Sequence, residues 1–196
     1  SKRGYKLFKR GEYARAYIHF AISSALGYNN GHASAAYLWD EYSDKLQEAG
    51  IMCRFGDPKI CAANFYYLSY LHDDPKSTHH LGSLFYHGTL GIKPDIDLAR
   101  FFYEEGHTLH DAQSSVALAN MYEYGIGVEQ DEEEAEKLLY EVMEFYWNIN
   151  DAYDSADFYP AALSYARIKL SKAFKNTIVM EAFTSLSSIF SHVFAQ

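Results

Sequence analysis

Histidine and cysteine are the residues of this chain whose chemistry and spacing best suit metal binding or catalysis. Among nine histidines, only His79-His80 and the segment His107-x-x-His110-Asp111 form clusters. The second cluster places two imidazoles on one helical face beside a carboxylate, but no third ligand follows at a defined spacing. The sequence therefore favours hydrogen-bonded structural histidines over a metal site.

The chain also lacks the short motifs that support catalysis. It contains no His-Glu-x-x-His segment, no Gly-x-Ser-x-Gly segment and no glycine loop of the type that binds phosphate. We therefore expect no catalytic residue, no cofactor and no metal. This directs the search for function towards binding.

The two cysteines, Cys53 and Cys61, flank a turn that contains Gly56 and Pro58. Such a pair could close a small disulfide loop in an oxidising compartment, and both thiols could equally stay free. A zinc site is disfavoured because no second cysteine pair is present. The sequence leaves the choice between a disulfide and two free thiols open.

Composition indicates a folded, acidic, aromatic-rich protein. Hydrophobic residues make up 48% of the 196 residues, and the net charge of -9 argues against non-specific binding of nucleic acid. The basic cluster at residues 2–10 is interpreted as a solvated first helix. The acidic run at 129–136 falls at a predicted helix start, where carboxylates complement the helix dipole. Eighteen tyrosines and thirteen phenylalanines suit a long core with a partner-binding face.

The elements that must position any binding residues follow from a pattern that occurs twice between residues 81 and 143. Leu-Gly-x-x-aromatic at 81–85 recurs as Leu-Ala-x-x-aromatic at 118–122, with a period of about 36 to 37 residues. That period is typical of helical-hairpin solenoids. We predict an all-α solenoid of about five stacked antiparallel helix pairs, forming a right-handed superhelix.

Within each copy, small and capping residues occupy equivalent positions. Small residues let the two helices of a pair cross closely, glycines end helices or shape the loop, and aspartates begin the next helix. The residues assigned these structural roles are Gly82, Gly88, Gly91, Asp95 and Ala99 in the first copy, and Gly125, Gly127, Asp131 and Ala135 in the second.

The whole chain, 1–196, is predicted to form a single helical-repeat domain. Its predicted parts are repeat 1 at 4–28, a divergent repeat 2 at 30–73, repeat 3 at 77–110, repeat 4 at 112–146 and C-terminal capping helices at 158–196. In repeat 2, residues 27–31 are predicted as a loop and 32–47 as one helix. The C-terminal part is predicted as two helices, at 160–170 and 177–193.

Exposed aromatics on the first helix of each pair are candidates for partner binding, because they could accept an extended or helical segment. Each of these rings could equally pack in the core between helices. The candidates are Tyr37, Tyr66, Tyr70, Tyr86, Tyr122 and Tyr124.

The repeated pattern resembles the Sel-one-like repeat, a relative of the tetratricopeptide repeat. The second copy matches the motif at Leu118, Tyr122, Gly125, Gly127, Val128, Asp131 and Ala135, whereas the first has an extra residue between Gly88 and Gly91. The resemblance implies a scaffold, and a scaffold of this type hosts many partners.

The order of segments over residues 4–170 is similar to the last repeat cluster of the luminal adaptor subunits of Hrd-type ubiquitin ligases. The segment Gly91-Ile92-Lys93-Pro94-Asp95 and the following Ile96 to Ala99 resemble those adaptors most closely. The resemblance implies a non-catalytic role in endoplasmic-reticulum-associated degradation. The implied partners are a membrane-embedded RING-type ubiquitin ligase and luminal recognition factors such as lectins.

The same resemblance implies a location in the endoplasmic reticulum lumen, with a membrane anchor outside this sequence. The chain does not begin with Met and shows no signal peptide, so we expect it to be part of a longer protein. The alternative is a generic cytosolic or secreted scaffold, of the chitin synthase activator or bacterial effector type.

Overall fold

The computed structural model describes residues 1–88, 91–148 and 158–193, and every regular element within these ranges is an α-helix. The ten helices are α1 Lys2–Lys9, α2 Tyr13–Ala25, α3 Asn29–Glu41, α4 Ser43–Glu48, α5 Pro58–Tyr70, α6 Pro75–His87, α7 Ile96–Thr108, α8 Ala112–Tyr124, α9 Glu132–Asn148 and α10 Phe158–Val193.

The helices stack as successive pairs, which confirms the predicted all-α solenoid. Helix α1 packs on α2, α3 on α5, α6 on α7 and α8 on α9, and the second helix of each pair also packs on the first helix of the next. Helix α10 packs on α8 and α9. The described ranges thus hold four pairs followed by one long helix, with α4 as a short extra helix inside the second pair.

Aspartates in extended backbone conformation begin several of these helices. Asp57 accepts a hydrogen bond from the Lys59 N–H at 2.7 Å, and Asp111 accepts one from the Ser114 N–H at 2.8 Å. Asp95 caps α7 in the same way. Each carboxylate satisfies an amide that has no partner within its helix, so these residues fix where the helices start.

Small residues allow the helices of a pair to cross closely. Ala99 and Ala135 are fully buried at such crossings. A Cβ on Gly82 would lie 2.6 Å from Cδ1 of the buried Tyr103, so α7 approaches α6 more closely than any larger side chain would permit.

A second set of small residues joins one pair to the next. The end of α2 meets the start of α3 where Ser23 and Ser24 face Gly31, and the end of α5 meets the start of α6 where Ser69 faces Ser77. At the latter joint the Asp74 carboxylate accepts hydrogen bonds from both serine hydroxyls. These joints set the spacing between successive pairs.

Two hydrophobic cores run along the stack. The first contains buried residues of α1 to α7 and of the loop after α4, among them Leu38 and Trp39. The second fills the space among α7 to α10 and includes Met121 and Ile168. Phe85 contacts both cores, so the two halves pack as one continuous structure.

Two predicted elements differ from the structure. The predicted helix 32–47 is wrong, because α3 begins at Asn29 and ends at Glu41, before the ring of Tyr42 stacks on Tyr13 at 4.3 Å. The predicted loop 27–31 is correspondingly shorter. The two predicted C-terminal helices are the single helix α10, since no proline or glycine follows Pro160 within it.

Among the described residues, no helix is both long and apolar enough to cross a membrane.

A candidate binding groove

A groove of about 300 Å³ lies between the first helices of three successive pairs, and we call it the α1–α3–α6 groove. Apolar and aromatic side chains dominate its lining, and a few polar groups converge on one wall. It is lined by Tyr5 and Phe8 of α1, Phe20 of α2, Ala33, Ser34, Tyr37 and Leu38 of α3, Tyr66 of α5, and Asp74, Lys76, Ser77 and His80 at and within the start of α6.

The α1 wall of the groove is an aromatic cluster. The ring of Phe8 makes edge-to-face contacts with Tyr37 at 6.1 Å and with Tyr42 at 5.6 Å. Tyr37 and Tyr5 keep 41% and 55% of their surface exposed at the mouth of the groove. Rings that are held by packing yet remain accessible lose little freedom when a partner binds, so this wall suits recognition of a protein segment.

The floor of the groove rests on a polar network around Asp40. Its carboxylate pairs with the Lys59 ammonium and accepts a hydrogen bond from the Tyr66 hydroxyl at 3.3 Å. The His80 ring stacks on the Tyr66 ring at 4.3 Å, with Nδ1 3.7 Å from Asp40. This network joins α3, α5 and α6 and holds the floor rigid.

Burial controls the protonation of this network. Burial and then the charge of Asp40 raise the pKa of the Tyr66 hydroxyl, so it stays a neutral donor. Burial, with the adjacent His79, lowers the pKa of His80 despite the opposing attraction of Asp40. At neutral pH the floor therefore holds one ion pair, Asp40 with Lys59, and two neutral rings.

Of the six tyrosines predicted to bind a partner, only Tyr37 lies exposed in this groove. Tyr66 lies beneath it with 2% of its surface exposed, so the expectation of an exposed Tyr66 is wrong. The reason is the stacking on His80 and the hydrogen bond to Asp40, which draw the whole ring into the interior.

The other four tyrosines lie elsewhere and are not brought together. The ring of Tyr70 packs edge-on against Phe102 at 5.4 Å, and Tyr86 and Tyr122 are half-buried against the second core. Tyr124 is exposed, but its hydroxyl accepts a hydrogen bond from Arg167 of α10. These rings pack between helices instead of forming one surface.

Sequence reasoning missed Tyr5, Phe8, Lys76 and His80 as groove residues. The signal available for the first two was their i, i+3 spacing on a short helix, which places both rings on one side. Nothing local identifies Lys76 and His80, because the fold brings them to residues of α1 that lie about 70 positions away.

The two cysteines form a disulfide in this structure, which is one of the two alternatives that the sequence left open. The bond joins the loop after α4 to the first turn of α5. The side chains of Met52 and Phe55 on this loop are exposed, and Asp57 caps the helix that follows.

The clustered histidines have structural contacts. His107 lies between the Ser115 hydroxyl at 2.9 Å and the Glu141 carboxylate at 3.3 Å, and the His110 ring stacks on Phe145 at 4.6 Å. Asp111, the adjacent acid, caps α8. No group of three or more potential ligands suited to a metal occurs among the residues that the structure describes.

A second exposed apolar surface lies on α10. Leu163, Leu170 and Phe174 are each about 70% exposed and occupy the face opposite the buried Ala161 and Ile168. The α1–α3–α6 groove combines an apolar cavity with several polar groups, so it is the stronger candidate for specific recognition.

Comparison with known proteins identifies the repeat type. A scan against protein-family models matches the Sel1 repeat, the Sel-one-like repeat described above, at residues 75–106 and 110–141. A search of curated proteins finds no match. Among solved structures, the chain is similar to a Sel1 repeat protein from Oxalobacter formigenes, with 20% identity and a TM-score of 0.60 over 86% of this chain and 69% of that one.

A second similar structure is c5321, a protective antigen present in uropathogenic Escherichia coli strains that displays an SLR fold. It shares 20% identity and a TM-score of 0.55 over 81% of this chain, but the match spans only 34% of the antigen. At this identity the likeness concerns the fold alone. The chain is thus an all-helical solenoid in which residues 75–106 and 110–141 match the model of the Sel1 repeat.

Proposed function

We propose that this chain is a non-catalytic scaffold that binds a segment of a partner protein in the α1–α3–α6 groove. The observation that supports this most is the exposure of Tyr5 and Tyr37 at the mouth of an apolar groove whose floor is fixed by the Asp40 network. Stacked helical repeats present extended surfaces of this kind.

The size and lining of the groove suit a few side chains of a peptide. A cavity of about 300 Å³ is at the lower end of the range for small-molecule sites, and it opens along three helices instead of closing around a ligand. A helical or extended segment could place two or three apolar side chains in it while its backbone stays outside.

Following the resemblance of the segment order, we further propose that the partner belongs to endoplasmic-reticulum-associated degradation. In this role the chain would be a luminal adaptor that links substrates or lectins to a membrane-embedded RING-type ubiquitin ligase. The Cys53–Cys61 disulfide supports an oxidising compartment such as the lumen, because such bonds are rare in the cytosol.

The groove role can be tested with fluorescent peptides that cover the luminal loops of a Hrd-type ligase. We expect saturable binding that weakens at least about fivefold in Tyr37→Ala, because the variant removes an exposed aromatic contact. Tyr67→Ala is the matched control, since Tyr67 is on α5 outside the groove and 49% exposed against 41% for Tyr37.

Equal loss in both variants would place the binding site elsewhere. Binding of unrelated peptides with the same Tyr37 dependence, and none of the ligase loops, would favour the generic scaffold over the adaptor role. The adaptor proposal would then fail while the groove proposal stands.

A further inference from the structure

We infer that the segment bound in the α1–α3–α6 groove is acidic, with carboxylates flanking its apolar side chains. This inference rests on the proposed function, since it names the chemistry of the partner for the same groove. It comes from the positions of the cations that the protein leaves without an acidic partner.

Most of the Lys and Arg side chains in this acidic chain form ion pairs. Of 17 in total, nine lie within 4 Å of a described carboxylate. Eight form no ion pair with any described acid. Five of those eight lie on or just after α1, at positions 2, 3, 6, 9 and 10. A sixth, Lys76, lines the groove. In a protein of net charge -9, six of the eight unpaired cations therefore lie on or just after one short helix or in the groove that this helix helps to line.

Two of these cations lie at the groove, on different helices. Lys9 Nζ lies 4.8 Å from the centre of the Tyr5 ring, so one ammonium is held at the α1 edge. Lys76 lines the groove itself, in the first turn of α6. A segment seated in the groove would therefore lie close to both charges.

Two acids at the groove, Asp40 and Asp74, already interact with groups of the protein itself. Asp40 is mostly buried and paired with Lys59. Asp74 accepts hydrogen bonds from Ser69 and Ser77 at the start of α6, where the helix dipole already favours a negative charge. The positive rim is thus open to a carboxylate from a partner.

A basic amphipathic helix can also indicate binding to an anionic membrane. In α1, however, Gly4 and Leu7 are buried against α2, and Phe8 is packed among Tyr13, Tyr37 and Tyr42. The apolar residues that would enter a bilayer are therefore occupied, and a peptide that reaches into the groove fits the arrangement better.

The test uses three peptides with identical aromatic and aliphatic residues, whose flanking positions are Glu and Asp, Gln and Asn, or Lys. Fluorescence anisotropy at 50 and 300 mM salt measures their affinity for the chain. We expect the acidic peptide to bind about tenfold more tightly than the amide peptide at low salt, with the difference shrinking at high salt. The lysine peptide should bind weakest.

Charge-reversal variants locate the effect. Lys76→Glu should reduce acidic-peptide affinity about three- to tenfold, and it should fold normally because a carboxylate is favoured in the first turn of a helix. Lys93 is exposed, lies outside the groove and pairs with no described acid. Lys93→Glu is the matched control, because it changes the net charge by the same amount. It should leave affinity unchanged, and circular dichroism melts confirm folding of both.

Each alternative result has one meaning. Equal affinity for the acidic and amide peptides, with loss in Tyr37→Ala, would overturn the acidic inference and keep the proposed function. Absence of binding by all three peptides would overturn both. In another outcome, the chain binds vesicles that contain phosphatidylserine and does not bind neutral vesicles. If Lys9→Glu abolished that binding and Tyr37→Ala left it unchanged, the result would overturn the inference and show that the basic residues bind a lipid surface.

Discussion

The joint between α2 and α3 provides a stringent test of how the helix pairs are spaced. Gly31, two residues inside α3, is buried against the last turns of α2. A Cβ at this position would lie 2.7 Å from the Ser23 carbonyl carbon, 2.9 Å from the Phe20 carbonyl oxygen and closer still to the Ser24 amide nitrogen. All three are backbone atoms, so Gly31→Ala can be accommodated only if the two helices move apart.

The magnitude follows from two opposing effects. The helices must separate by roughly 1 Å to reach ordinary contact distances, and overpacking of this kind costs about 1–3 kcal/mol. Replacing glycine by alanine inside a helix stabilises the helix by about 1 kcal/mol or less. No flexible side chain can move aside here, so we expect the overpacking to outweigh the gain in helix propensity. At the upper end of the range, the free energy of unfolding then decreases by about 2 kcal/mol. For a chain of this length that corresponds to a Tm decrease of about 4–8 °C.

Thermal unfolding followed by circular dichroism measures this loss. The matched control is Asn30→Ala, one position earlier on the same helix, where the side chain is exposed and alanine should leave Tm unchanged or slightly raised. A Tm for Gly31→Ala equal to or above that of Asn30→Ala would refute the close backbone contact. It would also refute the role of small residues in spacing the pairs.

Three further predictions concern acid, the disulfide and α10. Burial and the neighbouring His72 lower the pKa of His32, so the contribution of His32 to the free energy of unfolding should be constant above about pH 6.5 and decrease below it, by at most about 1.4 kcal/mol per pH unit; urea titrations at several pH values should therefore show a shallower pH dependence of the unfolding free energy in His32→Gln. Cys53→Ser, which opens a loop of sequence separation 8, should lose about 2.5 kcal/mol in denaturant unfolding under non-reducing conditions, and reduction of the native protein should give the same loss. Glu136→Gln removes the acid that pairs with two lysines of α10, so amide exchange in residues 161–175 should accelerate while Tm changes by no more than about 2 °C.

The sequence was most informative where two copies of one pattern could be compared. Equivalent positions 37 residues apart identified the crossing positions of Gly82 and Ala119, and helical spacing around them predicted α6 to α9. The period is visible there because each pair packs on a pair of the same shape, so the same positions need small or large side chains. In the described structure these helices lie within one or two residues of the predicted repeats.

The joints between pairs were harder to predict from the sequence, because residues of different types can adopt the backbone conformation that a joint requires. The residue two positions before the first helix of a new pair adopts a positive φ three times, as Gly27 at 79°, Asp73 at 56° and His110 at 60°. Only one of these is a glycine. Similarly, the residues around Gly31 predict a Gly/Asn loop, although Gly31 lies in α3 and lets that helix approach the α2 backbone. Such roles depend on a neighbouring helix and have no local signature.

The groove could not be predicted for a different physical reason. Its walls come from α1, α3 and α6, whose residues are far apart in the sequence and are brought together only by the packing of the first three pairs. Local pattern gave the correct helix for Tyr37 but the wrong environment for Tyr66, because burial of that ring depends on Asp40 and His80 from two other helices.

The positions of the repeats and of the groove suggest how the chain divides its tasks. The matched Sel1 repeats begin at Pro75, whereas nine of the twelve residues that line the groove lie before that point. A repeat motif is defined by residues that pack helices together, so it is clearest where packing alone constrains the sequence. Where a pair must also present aromatic rings and charges to a partner, its surface departs from the motif. The region with the weakest repeat signal, pairs α1/α2 and α3/α5, is therefore where a specific binding function of this scaffold should be sought.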